Sequence, residues 1–108
     1  MALSRDFRQT VQARAARDPA FRKALFQEAV QTLLEGDIDS GRAAMRDYIN
    51  ATVGFERLSA ALGRPQKSLM RMFGPNGNPR AENLFGVIGV LQAETGVHLK
   101  VRVVADAA

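Results

Sequence analysis

Apolar side chains recur at three- and four-residue spacing along most of this chain and alternate one by one only near its end, which predicts a mainly α domain closed by a single strand. Phe7 and Val11, four apart between arginines, open a first helix. Asp18-Pro19 predicts the start of a second, with aspartate as cap and proline in the first turn; it should run to Leu34 and stop at Gly36. Phe21, Leu25, Phe26, Ala29, Val30, Leu33 and Leu34 cover more than one stripe of that helix. It should therefore touch two surfaces, the core and either a partner or another part of the same monomer. A third helix, opening near Asp39 or Ser40, should bury some of Ala44, Met45, Tyr48 and Ile49 and lead through Gly54 onward. Leu84, Val87, Ile88 and Leu91 mark a late helix that Gly96 can cap. After it, Val97, Leu99, Val101 and Val103 alternate with His98, Lys100, Arg102 and Val104. No earlier segment offers this strand a partner, so it should pair with the same strand of a second copy across a two-fold axis, making a homodimer.

The segment Phe55 to Phe73, FERLSAALGRPQKSLMRMF, predicts two short helices broken at a glycine. Leu58 and Leu62 stand one turn apart; Gly63 can close the helix in the left-handed conformation, and Pro65 can fix the dihedral at which the next one starts. Leu69, Met72 and Phe73 would pack inward and leave Gln66, Lys67, Ser68, Met70 and Arg71 outside. That is the outline of a helix-turn-helix, in which the N-terminal residues of the second helix approach base edges. Arg or Lys can donate to guanine and Gln can pair with adenine, each good pair giving about 1–3 kcal/mol of discrimination. Gln66, Lys67, Ser68 and Arg71 are the candidate base-reading residues. Next comes the turn-rich GPNGNPRAENL. Its Asn76, Asn78 and Arg80, with Arg64 in the turn before, are candidates for phosphate contacts, which hold register without reading sequence. For the two asparagines a plain turn role stands beside the phosphate role.

Charge is distributed in the same sense. The chain of 108 residues has a net charge of +4. Residues 1 to 54 carry eight Lys or Arg against seven Asp or Glu, residues 55 to 82 five against two, and residues 83 to 108 two against two. Most of the surplus lies on the two short helices and the loop after them, as attraction to a phosphate backbone requires. The length allows one domain over 1-108, divided into an N-terminal helical extension (1-53), a DNA-binding core (54-95) and the C-terminal strand (97-104).

Enzymatic readings find little support. There is no cysteine, which excludes disulfides, thiolate metal sites and thiol nucleophiles. His98 is the only histidine, in an amphipathic stretch with no obvious catalytic partner. The pairs Asp37/Asp39 and Glu56/Glu82 flank turns and helix starts, where carboxylates favour the helix dipole. Gly74 and Gly77 are in neither Walker nor Rossmann spacing. No enzyme activity, cofactor or metal is expected. No stretch approaches the roughly 20 apolar residues of a membrane span, and MALSRDFRQ lacks the apolar core of a secretory signal. The cytoplasm is the expected compartment, with no membrane partner.

From about Leu34 to Val101, the order of LLEGD, DYINATVGFERLSAALG, PQKSLMRM, the GNP of Gly77 to Pro79, a leucine-rich helix and the closing GVHLKV resembles the addiction-module antidote proteins, the HigA-type antitoxins within the Cro/C1-type helix-turn-helix class. The resemblance covers about two thirds of the chain and lies in the order and spacing of the pieces. It implies a dimeric repressor of its own operon that also neutralises a cognate toxin protein. Gln66, Lys67, Ser68 and Arg71 would then read bases, while Asn78 and Arg80 would touch phosphates. Pro65 departs from the pattern, standing where such families often carry a Ser or Thr cap, and the N-terminal region is longer.

Two functions of different classes follow: a sequence-specific repressor of a palindromic operator in double-stranded DNA, acting as an antitoxin, or a helix-turn-helix-derived interaction module that does not read DNA. Lys67 and Arg71 on one exposed surface with Arg80 would favour the first. Acidic residues or the N-terminal helices covering that surface would favour the second.

Overall fold

The computed structural model describes residues 5–107 and comprises six helices, α1 (Arg5–Arg17), α2 (Pro19–Leu34), α3 (Ile38–Ala51), α4 (Phe55–Leu62), α5 (Gln66–Met72) and α6 (Ala81–Thr95). The first four residues, part of the stretch read for a secretory signal, lie outside the described residues. Helix α2 starts where the Asp18-Pro19 pair predicts. The Asp18 carboxylate accepts from the Ala20 and Phe21 amides at 3.1 and 3.2 Å, and Pro19 has no amide to satisfy. Helix α3 opens at Ile38, slightly ahead of the expected Asp39 or Ser40. The cap is Asp37, which accepts from the Ser40 amide at 3.2 Å.

One continuous core joins the helices on both sides of Gly54. Phe26 and Ala29 of α2 meet Met45, Tyr48 and Ile49 of α3, then Phe55 and Leu58 of α4, Leu69 and Phe73 around α5, and Val87, Ile88 and Leu91 of α6. At its centre the Tyr48 ring stacks on Phe26 with centroids 4.4 Å apart and planes 5° from parallel. Among the described residues, the Tyr48 hydroxyl has no hydrogen-bond partner in normal geometry. Burial pushes its pKa up, and the nearby Thr95 hydroxyl and Arg22 charge only oppose that shift.

The second face of α2 is only partly covered within the monomer, and Leu34 on it stays 64% exposed. Its Val30 and Leu34 edge lies beside residues 98–102 of the tail, and its Phe21 and Leu25 edge lines a cleft against α3. Among the described residues there is no strand, so the one expected over 97–104 is corrected. The reason is where the amides go: Val97 N donates to Thr95 Oγ1 at 3.2 Å and Leu99 N to Gln92 Oε1 at 2.8 Å. Side chains of α6 thus take two donors that a ladder would use. Val97 and Leu99 pack partly buried against the core of their own chain, whereas Val101 and Val103 are exposed. Among the described residues, no helix is long and apolar enough to cross a membrane.

Candidate nucleic-acid interface

Helices α4 and α5 are held at their far ends by Phe55 and Phe73, both buried, whose rings sit 6.3 Å apart at 53°. Leu58 and Leu69 fill the space between them and the core. The link is three residues, Gly63 to Pro65. Gly63 adopts φ 66°, ψ 33°, a left-handed conformation that a side chain would strain. Ser59 fixes the exit: its carbonyl accepts from the Gly63 amide at 2.9 Å and its hydroxyl donates to the Arg64 carbonyl. Pro65 caps α5 without a side-chain bond, and its carbonyl accepts from the Ser68 and Leu69 amides.

This packing turns Gln66, Lys67, Ser68, Met70 and Arg71 outward, all exposed. Ser68 and Arg71 form one wall of a shallow depression; Asn76, Asn78, Arg80 and Asn83 form the rest of its polar lining. Lys67 stands one helical turn before Arg71 on the same side of α5. Gln66 is set apart, bordering a different hollow with Glu56, Arg57 and Ala60 of α4. Arg64 is exposed in the turn. Among the described residues, the depression has no acidic lining residue and none from α1, α2 or α3.

The cations divide into two groups. Arg14, Arg42 and Arg57 have carboxylate partners in Asp18, Asp39 and Glu94. Among the described residues, Arg64, Lys67, Arg71 and Arg80 have none, as is also true of Arg17, Arg22, Lys23, Arg46, Lys100 and Arg102 elsewhere on the chain. A surface that keeps several cations, two asparagines and a serine free of internal partners complements a polyanion.

Sequence reasoning missed the residue that holds this surface in place. Arg42 of α3 is only 7% exposed, and its guanidinium donates to the Gly77 carbonyl at 2.7 Å and the Pro75 carbonyl at 2.9 Å, with Asp39 at 3.1 Å. It thereby ties down the loop between α5 and α6 that carries Asn76, Asn78 and Arg80. Gly77 completes the fit from the other side. A Cβ there would fall well inside contact distance of the Met72 and Arg71 carbonyl oxygens, so only glycine lets the loop lie so close to the end of α5. The signal for Arg42 was available in the periodicity. It stands three residues before Met45 and seven before Ile49, on the buried stripe of α3. Asn83, half-buried one turn after Arg80, was also missed.

The expected dimer strand falls into two parts, Val97 and Leu99 on their own core and Val101 and Val103 at the surface. His98 is exposed beside them. Comparison with protein-family models, with curated proteins and with solved structures found no match to this chain.

Proposed function

We propose that this protein is a sequence-specific DNA-binding repressor in which α5 enters the major groove. The observation that carries the reading is the convergence of Arg71 and Arg80 on one depression, with Lys67 exposed one turn away; among the described residues no acidic side chain lines the depression and none of the three cations has a carboxylate partner. In this reading Lys67, Ser68 and Arg71 face base edges, joined by Gln66 at the start of the helix. Arg64, Asn76, Asn78 and Arg80 contact phosphates, with Asn83 added to them. The reading is non-enzymatic.

Half-sites of a palindrome lie about 34 Å apart. The subunit measures 47 × 31 × 29 Å and presents one such helix, so the neighbouring half-site falls to a second copy. A homodimer formed through the exposed end of the tail supplies it. The resemblance to addiction-module antidotes extends the proposal to an antitoxin with a toxin partner; coexpression with the neighbouring reading frame, scored by copurification, tests that extension.

The central experiment is binding to the DNA upstream of the protein's own reading frame over a salt series. Wild type should prefer this DNA to random sequence and weaken as salt rises. Lys67→Ala and Arg71→Ala should lose about 1–3 kcal/mol of that preference, whereas Arg80→Ala should weaken all DNA alike and lower the salt slope by about 1. Equal binding of upstream and random DNA by wild type would reject the repressor reading. The interaction module would then take its place, a reading favoured by the exposed apolar side chains of Phe85, Val101 and Val103.

A further inference from the structure

A cleft separate from the α5 depression lies among the described residues, and its chemistry does not depend on whether DNA is bound. It holds about 720 Å³ between α1, α2, α3 and the residues just after α5. That volume lies within the range of pockets that take small organic molecules. Val11, Phe21, Leu25 and Phe73 contribute apolar wall, a surface suited to a hydrocarbon or aromatic body.

Among the described residues four charged side chains line the cleft, and two of them satisfy each other: Arg42 is paired with Asp39 and also committed to the loop carbonyls. The third, Asp47, is unusual. It is 6% exposed, and only its Oδ1 has a partner, accepting from Gln12 Nε2 at 3.2 Å. The other carboxylate oxygen meets no donor among the described residues. Arg46, the fourth, is only half-buried and does not pair with Asp47, because adjacent residues on a helix do not face one another. Tyr48 Oη is the one buried polar side-chain atom without a partner among the described residues, so the second Asp47 oxygen is open to the cleft and its solvent. A ligand cation would meet it with a charge-assisted bond.

We infer that this cleft is a binding site for a small organic cation with an apolar body, an alkyl- or arylalkylamine, whose ammonium donates to Asp47 while its body lies against Phe21, Leu25 and Phe73. The coupling to the rest of the molecule is built in. The cleft wall ends in Phe73, Gly74 and Pro75, and Pro75 is one of the two residues held by Arg42.

The test is an amide NMR titration of the full chain at neutral pH with phenethylamine, and in parallel with 3-phenylpropionate, which has a similar body and the opposite charge. Phenethylamine should give saturable shifts centred on Val11, Leu25, Asp47 and Phe73. Asp47→Asn, with its amide spectrum used to verify folding, should bind it about tenfold more weakly or worse, the effect of one charge-assisted hydrogen bond. Should Asp47→Asn not fold, Val11→Trp fills the cleft from α1 and should abolish the shifts. Three results would overturn the inference: no saturable shift with the amine, equal binding of the carboxylate, or shifts centred away from the cleft.

Discussion

The ring of Tyr48 lies flat on Phe26 while its hydroxyl, fully buried, meets no hydrogen-bond partner among the described residues. Tyr48→Phe keeps the stack and removes the unsatisfied group, so stability should hold or rise by about 1 kcal/mol. The pH dependence has a definite sign. Burial raises the folded-state pKa above the ordinary 10.0, so above that pH the unfolded chain releases a proton that the folded chain retains. The contribution is fully present below about pH 10 and is lost as pH rises through the raised folded value. Urea midpoints measured from neutral to strongly alkaline pH should fall more steeply for wild type than for Tyr48→Phe. Neither Tyr48 nor the two buried charges could be fully read from the sequence. Arg42 reaches Gly77 and Asp47 reaches Gln12 across 35 residues in each case, and no local pattern encodes such a link. Only the position of Arg42 on an otherwise apolar stripe hints at it.

At the scale of elements, the loop from Gly74 to Arg80 is held by two devices of different kind, a guanidinium on one side and the absence of a side chain on the other. Arg42→Leu removes charge-assisted bonds to two carbonyls and should cost about 1.5–3 kcal/mol. Gly77→Ala pushes the loop off the end of α5 and should cost roughly 1–3 kcal/mol. Both should appear as lower midpoints in thermal unfolding. In DNA binding both should act like Arg80→Ala, weakening all sequences together, because they displace the loop and leave the outer face of α5 unchanged. Element boundaries set within a few residues were legible in advance. Asp18 caps α2 through neighbouring amides, Gly63 ends α4 in the left-handed region, and Gly96 ends α6 likewise. The outer face of α5 was legible too, since Leu69 and Phe73 fix which way the rest must point. Alternation in the tail gave the right periodicity and the wrong hydrogen bonds. An extended segment shows the same two-residue pattern whether its amides meet a strand or, as at Val97 and Leu99, the side chains of a helix.

For the whole molecule, the dimer contact proposed above falls at the end of the chain. Val103 is 98% exposed and Val101 80%, whereas Leu99 packs on the core. Val101→Asp with Val103→Asp should therefore convert the proposed dimer to monomer in sedimentation velocity. Monomer stability should change by no more than about 0.5 kcal/mol, as for most surface substitutions. Leu99→Asp should instead lower the unfolding midpoint in any state of assembly. A double variant that still sediments as a dimer would place the two-fold contact elsewhere.

The bonds from Val97 and Leu99 to Thr95 and Gln92 have a further effect on stoichiometry. Where a segment is extended, amides two residues apart point to the same side, so over Val97 to Leu99 α6 occupies one edge, while Val101 and Val103 lie beyond these bonds. A segment available on one edge accepts a single neighbour. A pairing that reached back to Val97 and Leu99 would therefore stop at the first pair there, a restraint that a free two-edged strand would lack.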